Sequence, residues 1–141
     1  MTLSRFQVAI KAFTLRRGEL LMVREAAGRR LWELPGGRVE VGEEQLPPEA
    51  VLRRELWEEL GRAFEVEIQR PIATWVRKPA PPRRKSFVFL VGLLCRYRRG
   101  EIELSDEHVE YRWMTRAACA RVSLAPGYVG ALEQFWRAVD A

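Results

Sequence analysis

The sequence has no asparagine, a single histidine and two cysteines. Each shortage narrows what the chain can be. Cys95 and Cys119 lie in apolar or Ala-rich stretches and form no C-x-x-C pair, so they read as inert, buried thiols of a reduced, cytoplasmic protein. With one histidine and no cysteine cluster, a zinc-type ligand set is excluded. No apolar run reaches transmembrane length, and Met1–Lys11 lacks the apolar core of a signal peptide. Low Asn content fits a thermophile, although a GC-rich genome would enrich Arg in the same way.

What is present suits one domain. The 141 residues are 48% apolar and 30% charged, enough for a single core and too apolar for general disorder. The net charge of +5 comes mostly from Arg. A basic surface attracts anions such as nucleic acid, phospholipid or phosphorylated small molecules, and the charge alone does not choose among them.

Along the chain, Phe6–Phe13 alternates apolar and polar residues, the pattern of a half-buried strand. Glu19–Arg24 is a second strand, expected to form a hairpin with the first. Leu31–Leu34 is short and extended, and Pro35-Gly36-Gly37 breaks it. Arg38–Val41 is brief. A helix is expected from Glu49, with Pro48 tolerated at its start, to Leu60, with Gly61 as its stop. Phe64–Val76 carries one or two strands, with an interruption at Pro71. Arg77–Lys85, with three prolines, is expected to be a long basic loop. Ser86–Tyr97 is a near-continuous apolar run and reads as a central strand. Ile102–Leu104 could be a short strand, and Val109–Met114 is another. Thr115 is placed to cap a short helix through Arg121. Gly127–Val139 is a terminal amphipathic helix. The mixture predicts an α/β fold of the α+β type, a mixed β-sheet sandwiched between helices in one domain spanning residues 1–141.

The chemistry concentrates on the central helix, where Arg54 to Gly61 reads R-E-L-W-E-E-L-G. Counting about 100° per residue from Val51, Glu55 falls near 40°, Glu58 near 340° and Glu59 near 80°. The three carboxylates therefore share an arc of roughly 100°, beside the Leu52, Leu56 and Leu60 arc. Like charges so spaced repel, and a hard cation would turn the repulsion into binding. The residues alone also allow a solvated face whose glutamates pair with Arg53, Arg54 and Arg62.

Upstream stands Gly37-Arg38-Val39-Glu40-Val41-Gly42-Glu43, preceded by Trp32-Glu33-Leu34-Pro35-Gly36. Together these segments resemble the box of the Nudix hydrolase family: G, five residues, E, seven residues, then R-E-U-x-E-E-x-G-U, with U apolar. Gly37 takes the first position, Glu43 the second, and Arg54, Glu55, Leu56, Glu58, Glu59 and Gly61 the rest. Two departures stand out. Ten residues rather than seven separate Glu43 from Arg54, so three extra residues lie in the loop before the helix, where length is tolerated and where Glu43's reach becomes the least secure part of the motif. Arg62 occupies the final apolar position.

The resemblance implies a Nudix-like sheet between helices and hydrolysis of a pyrophosphate bond in a nucleoside diphosphate linked to a moiety X, with Mg²⁺ or Mn²⁺. By matched position Gly37, Glu55, Glu58 and Glu59 would hold the metal and Arg54 would orient a glutamate. The general base would come from the box, as Glu55 or Glu58, or from a later loop, as Glu107 or Glu110. His108 reads as an exposed loop histidine, with a catalytic part as the minor alternative. For the substrate, Trp32 and Trp75 could stack on a base and Arg77 and Arg84 could meet phosphate. Phe87 is read as core.

A nucleoside triphosphate, oxidised ones included, is the favoured substrate, with ADP-ribose or a nucleotide sugar as the alternative. RNA 5′ ends and a non-catalytic nucleotide-binding module are the readings from other classes. The expected partner is a small nucleotide-like molecule, not a membrane. Homodimers are common in the family, but no self-complementary surface is visible in the residues.

Overall fold

The computed structural model describes residues 1–140. Strands β1 (Phe6–Arg16) and β2 (Glu19–Glu25) form the expected hairpin. Its two turn residues, Arg17 and Gly18, both have positive φ (51° and 79°), the backbone whose twist matches the flanking strands. Two short strands follow, β3 (Trp32–Glu33) on β2 and β4 (Gly36–Arg38) on β1. Helix α1 (Pro48–Leu60) comes next, then β5 (Glu65–Arg77), β6 (Phe87–Arg99) and β7 (His108–Met114). The chain ends in α2 (Arg116–Cys119) and α3 (Tyr128–Asp140).

The sheet runs β3-β2-β1-β6-β5, with β4 added on β1 and β7 on β2. It is mixed: β1 and β6 are parallel, and the other pairs are antiparallel. α1 covers one face through Val51, Leu52, Leu56 and Leu60. α3 covers the other through Tyr128, Ala131, Leu132, Phe135 and Trp136. This is the sandwiched mixed sheet that the order of elements predicted.

The structure changes several local readings. β1 is not half-buried: Ala9–Thr14 is buried throughout, with Ala9 and Phe13 packed under α3 and Ile10 and Ala12 under α1. A strand between two helical layers has no solvent face, so the polar residue in its alternation, Lys11, is buried as well. Ile102–Leu104 forms no strand. Its backbone instead closes the end of α1, where Glu103 N–H donates to the Leu60 carbonyl (2.9 Å) and Ser105 N–H to that of Glu59 (3.1 Å).

Arg38–Val41 contributes only Arg38 to a strand, which begins at Gly36. The Pro-rich segment is tighter than a long loop, because Ala80 and Arg84 exchange backbone hydrogen bonds of 2.9 and 3.0 Å. β5 runs through Pro71 with register shifts on both sides, the cost of a residue that has no N–H to donate. Thr115 Oγ1 caps α2 at Ala118 N–H (3.1 Å), but the helix ends at Cys119, before Arg121. Among the described residues no helix is long and apolar enough to cross a membrane.

Candidate active site

α1 begins where Pro48 needs no donor and stops where Gly61 takes φ of 85°. Its register decides which carboxylates turn inward. The buried arc runs from Val51 through Leu60 and takes in Glu55 and Glu59; Glu58 falls just outside it and is exposed. The three glutamates are therefore split by burial, two facing the sheet and one on the rim. Glu59 is only 2% exposed and accepts from Gly36 N–H at 3.4 Å.

Gly36 and Gly37, which open β4, lie against β1 and α1 too closely for any side chain. A Cβ on Gly36 would stand 2.2 Å from the Ile10 carbonyl oxygen, and Gly36 has φ of 132°. A Cβ on Gly37 would stand 2.4 Å from the Glu55 carboxyl group. The glycines thus bring the backbone of β4 directly onto the carboxylates.

Arg54 fastens the rim. Its guanidinium donates to both oxygens of Glu43 (2.6 and 2.8 Å), to Glu58 (3.1 Å) and to the Arg38 carbonyl (3.3 Å), and pairs with Glu55 at 2.9 Å. Glu43 therefore reaches the helix despite the three added residues. This bidentate hold, helped by the Glu40 backbone, keeps the Glu43 carboxyl below its usual range.

Three residues outside the box complete the buried part: Lys11 on β1, Glu33 on β3 and His108 at the start of β7. Lys11 Nζ donates to the carbonyls of Gly36 (3.1 Å) and Leu34 (3.2 Å) and to Glu33 (3.4 Å). Glu33 in turn meets His108 Nε2 at 3.0 Å. His108 is 7% exposed, so its reading as an exposed loop residue is corrected: the β7–β2 pairing turns it inward. Its Nδ1 lies 3.7 Å from Glu59 and has no hydrogen-bond partner.

Electrostatics follow from this burial. Burial, with repulsion from Glu33, Glu55 and Glu107, carries the Glu59 carboxyl up to about 9 against the pull of Lys11. Glu55 is raised too, burial outweighing the attraction of Arg54. Burial also pushes Glu33 upward, but Lys11 and His108 outweigh it and hold its carboxyl at about 2. Lys11 stays cationic: burial works against its charge, and Glu33 overcomes the penalty.

These residues fit a divalent cation. Two buried carboxylates lack enough neighbouring positive charge to stay ionised comfortably. Ligand atoms of Glu59, Glu107 and His108 also lie within 4.8 Å of one another.

A cavity of about 310 Å³ opens beside this cluster, lined by Lys11, Glu25, Glu33, Gly37, Arg38, Arg77, Val88, Leu90 and Glu107. Of the two later-loop carboxylates, Glu107 lines the cavity. Glu110 turns away and pairs with Arg24 (3.5 Å) and Arg112 (2.8 Å). Arg77 lines the cavity, and its Nε and Arg84 Nη1 are buried without partners. Arg84 is lowered from its ordinary value by burial and by repulsion from Arg77 and Arg38, which puts it in the same basic cluster.

The two tryptophans do not line the cavity. Trp32 is 4% exposed and has the guanidiniums of Arg112 and Arg24 over its ring at 5.1 and 5.9 Å. Trp75 is packed edge-on against Phe13 and Tyr128. Neither offers an open face to a base, because both were recruited into the core under α3. Phe87, read as core, is 41% exposed. Lys11 and Glu33 were missed. The one signal available was a lysine in the middle of a strand, between Ile10 and Ala12.

Comparison with known proteins agrees with this geometry. A family model described as the NUDIX domain matches residues 5–135. No curated protein matches the chain significantly. Among solved structures, the MutT protein of Methanosarcina mazei Go1 is similar over 100% of both chains, with 21% identity and a TM-score of 0.81. A MutT Nudix hydrolase from Burkholderia pseudomallei is similar over 93% of this chain and 98% of its own, with 23% identity and a TM-score of 0.74. An ADP-ribose pyrophosphatase of Streptococcus suis reaches 26% identity over 95% of this chain and 90% of its own, with a TM-score of 0.65.

Proposed function

The chain belongs to the Nudix family and is a pyrophosphohydrolase, and from that premise we propose that it uses Mg²⁺ or Mn²⁺ to hydrolyse a nucleoside triphosphate, oxidised ones included. What carries the reading is the burial of Glu55 and Glu59 against the Gly36-Gly37 backbone of β4, which leaves no room for a side chain. In this reading Glu55, Glu58, Glu59 and the Gly37 carbonyl hold the cation. When bound, the cation neutralises phosphate oxygens and lowers the pKa of an attacking water.

The chain's own residues do the remaining work. Glu107, exposed at the cavity beside Glu59, takes the proton from that water. Glu110 is already engaged by two arginines and is the weaker candidate. Arg54 keeps Glu58 and Glu43 in fixed orientations. Arg38, Arg77 and Arg84 supply donors for charge developing on the departing phosphate, and the unpartnered nitrogens of Arg77 and Arg84 favour an anion there.

The test is a substrate panel with each metal, reading the products from nucleoside triphosphates, ADP-ribose, nucleotide sugars and 5′-triphosphate RNA. ADP-ribose is the second reading, favoured by the similarity to the Streptococcus suis structure. Cleavage of RNA with a steep salt dependence, and none of free nucleotides, would move the enzyme to RNA ends. Glu58→Gln, at an exposed position, is expected to fold normally and lose most metal-dependent hydrolysis. Full activity in the folded variant would refute the assigned role.

A further inference from the structure

We propose that His108 adds a nitrogen ligand, through Nδ1, to the divalent-cation site beside Glu59 and Glu107, and that the site therefore selects Mn²⁺ or Co²⁺ over Mg²⁺. The inference rests on the metal-dependent reading above and narrows the identity of the metal.

Three observations carry it. First, Nδ1 is a buried nitrogen with no hydrogen-bond partner, on a side chain 7% exposed. An orphaned buried polar atom costs stability, and it points here at two carboxylates rather than into an apolar core. Second, Nδ1 and oxygens of Glu59 and Glu107 lie within 4.8 Å of one another. Glu107 is exposed and stays beside the ion as the base of the reading above, while Nδ1 and the Glu59 oxygen, 3.7 Å apart, are placed to share the ion.

Third, the ring is held from behind. Nε2 faces the Glu33 carboxylate at 3.0 Å, and Lys11 holds Glu33 from the other side at 3.4 Å. In the neutral ring, Nε2–H donates to Glu33, and the lone pair is left on Nδ1. A carboxylate behind an imidazole is the arrangement that orients histidine ligands and raises their basicity. Lys11 and Glu33 are thus positioning residues.

Selectivity follows from the ligand type. Mg²⁺ prefers oxygen ligands in a near-ideal octahedron and gives up its waters reluctantly. An imidazole nitrogen suits first-row transition ions better, and carboxylates serve both.

The experiment uses the full chain without a histidine tag. Mn²⁺ is titrated into the protein, and the bound ion is examined by pulsed electron paramagnetic resonance for imidazole ¹⁴N coupling. His108 is the only histidine, so any such coupling is assigned without a variant. The expected result is imidazole coupling in the wild type, its loss in His108→Gln, and Mn²⁺ binding that persists there through carboxylates. Glu33→Gln keeps the shape and a hydrogen-bonding partner for Nε2. It is expected to fold and to lose roughly tenfold in Mn²⁺ affinity, with Mg²⁺ affinity moved less. Bound Mn²⁺ without imidazole coupling would overturn the inference and leave the hydrolase reading intact. Failure to bind either metal, with no hydrolysis, would overturn both.

Discussion

Replacing Lys11 by methionine keeps most of the side-chain volume and removes one charge from the interior. The consequences can be worked out from the structure. Glu33 would keep only His108 as a partner, and the Leu34 and Gly36 carbonyls would lose their donor. Deleting one member of a buried ion pair costs about 3–5 kcal/mol, because the other charge is left stranded. For a chain of this length that lowers Tm by about 10 °C or more.

The double variant Lys11→Met/Glu33→Gln strands no charge and should recover more than half of the loss. Acid gives an independent check. The folded Glu33 carboxyl sits at about 2 against an ordinary 4.5, so its stabilisation is present above about 4.5 and lost as pH falls towards 2. The stability gap between wild type and Glu33→Gln should therefore shrink across that window. Urea unfolding at pH 7 and pH 3 reads both effects. A Lys11→Met protein within about 1 kcal/mol of wild type at pH 7 would show that the pair is solvated and refute the argument.

Three further outcomes are expected. Glu59 has the opposite sign to Glu33: its folded carboxyl is raised to about 9, so the metal-free protein should lose stability as pH climbs from 4.5 to 9, and thermal melts should show the metal restoring more stability at pH 9 than at pH 6. Gly37→Ala drives a Cβ onto the Glu55 carboxyl group, so unfolding should show a loss of about 1–3 kcal/mol, and steady-state kinetics a kcat lower by roughly a hundredfold. Neutralising Arg77 and Arg84 together should raise KM more than it lowers kcat, and unchanged kinetics would return the basic loop to plain solvation.

Much of this molecule is legible locally. Helix α1 is bounded by a proline and a glycine, and the hairpin turn, the Thr115 cap and the mixed order of strands and helices all follow from neighbours in the chain. The Gly37-to-Gly61 segment was enough to carry the resemblance to the family, because residues that share one helix face and one adjoining strand lie close in sequence. Even the three added residues were visible. What could not be read was whether Glu43 still met the helix, and Arg54 answers that with a two-point grip.

Tertiary structure decided the rest. It split Glu55 and Glu59 from Glu58, because burial depends on what packs over the helix and not on its periodicity. It drew Trp32 and Trp75 into the core under α3 and turned Glu110 out towards Arg24 and Arg112. It also turned a polar residue in an alternating strand into a buried lysine, since alternation cannot say whether a second layer covers the other face. Lys11, Glu33 and His108 come from three separate strands, and nothing local relates them. Their chain of contacts exists because the sheet sets those strands beside the two glycines of β4, where a stranded charge or nitrogen must find a partner across space.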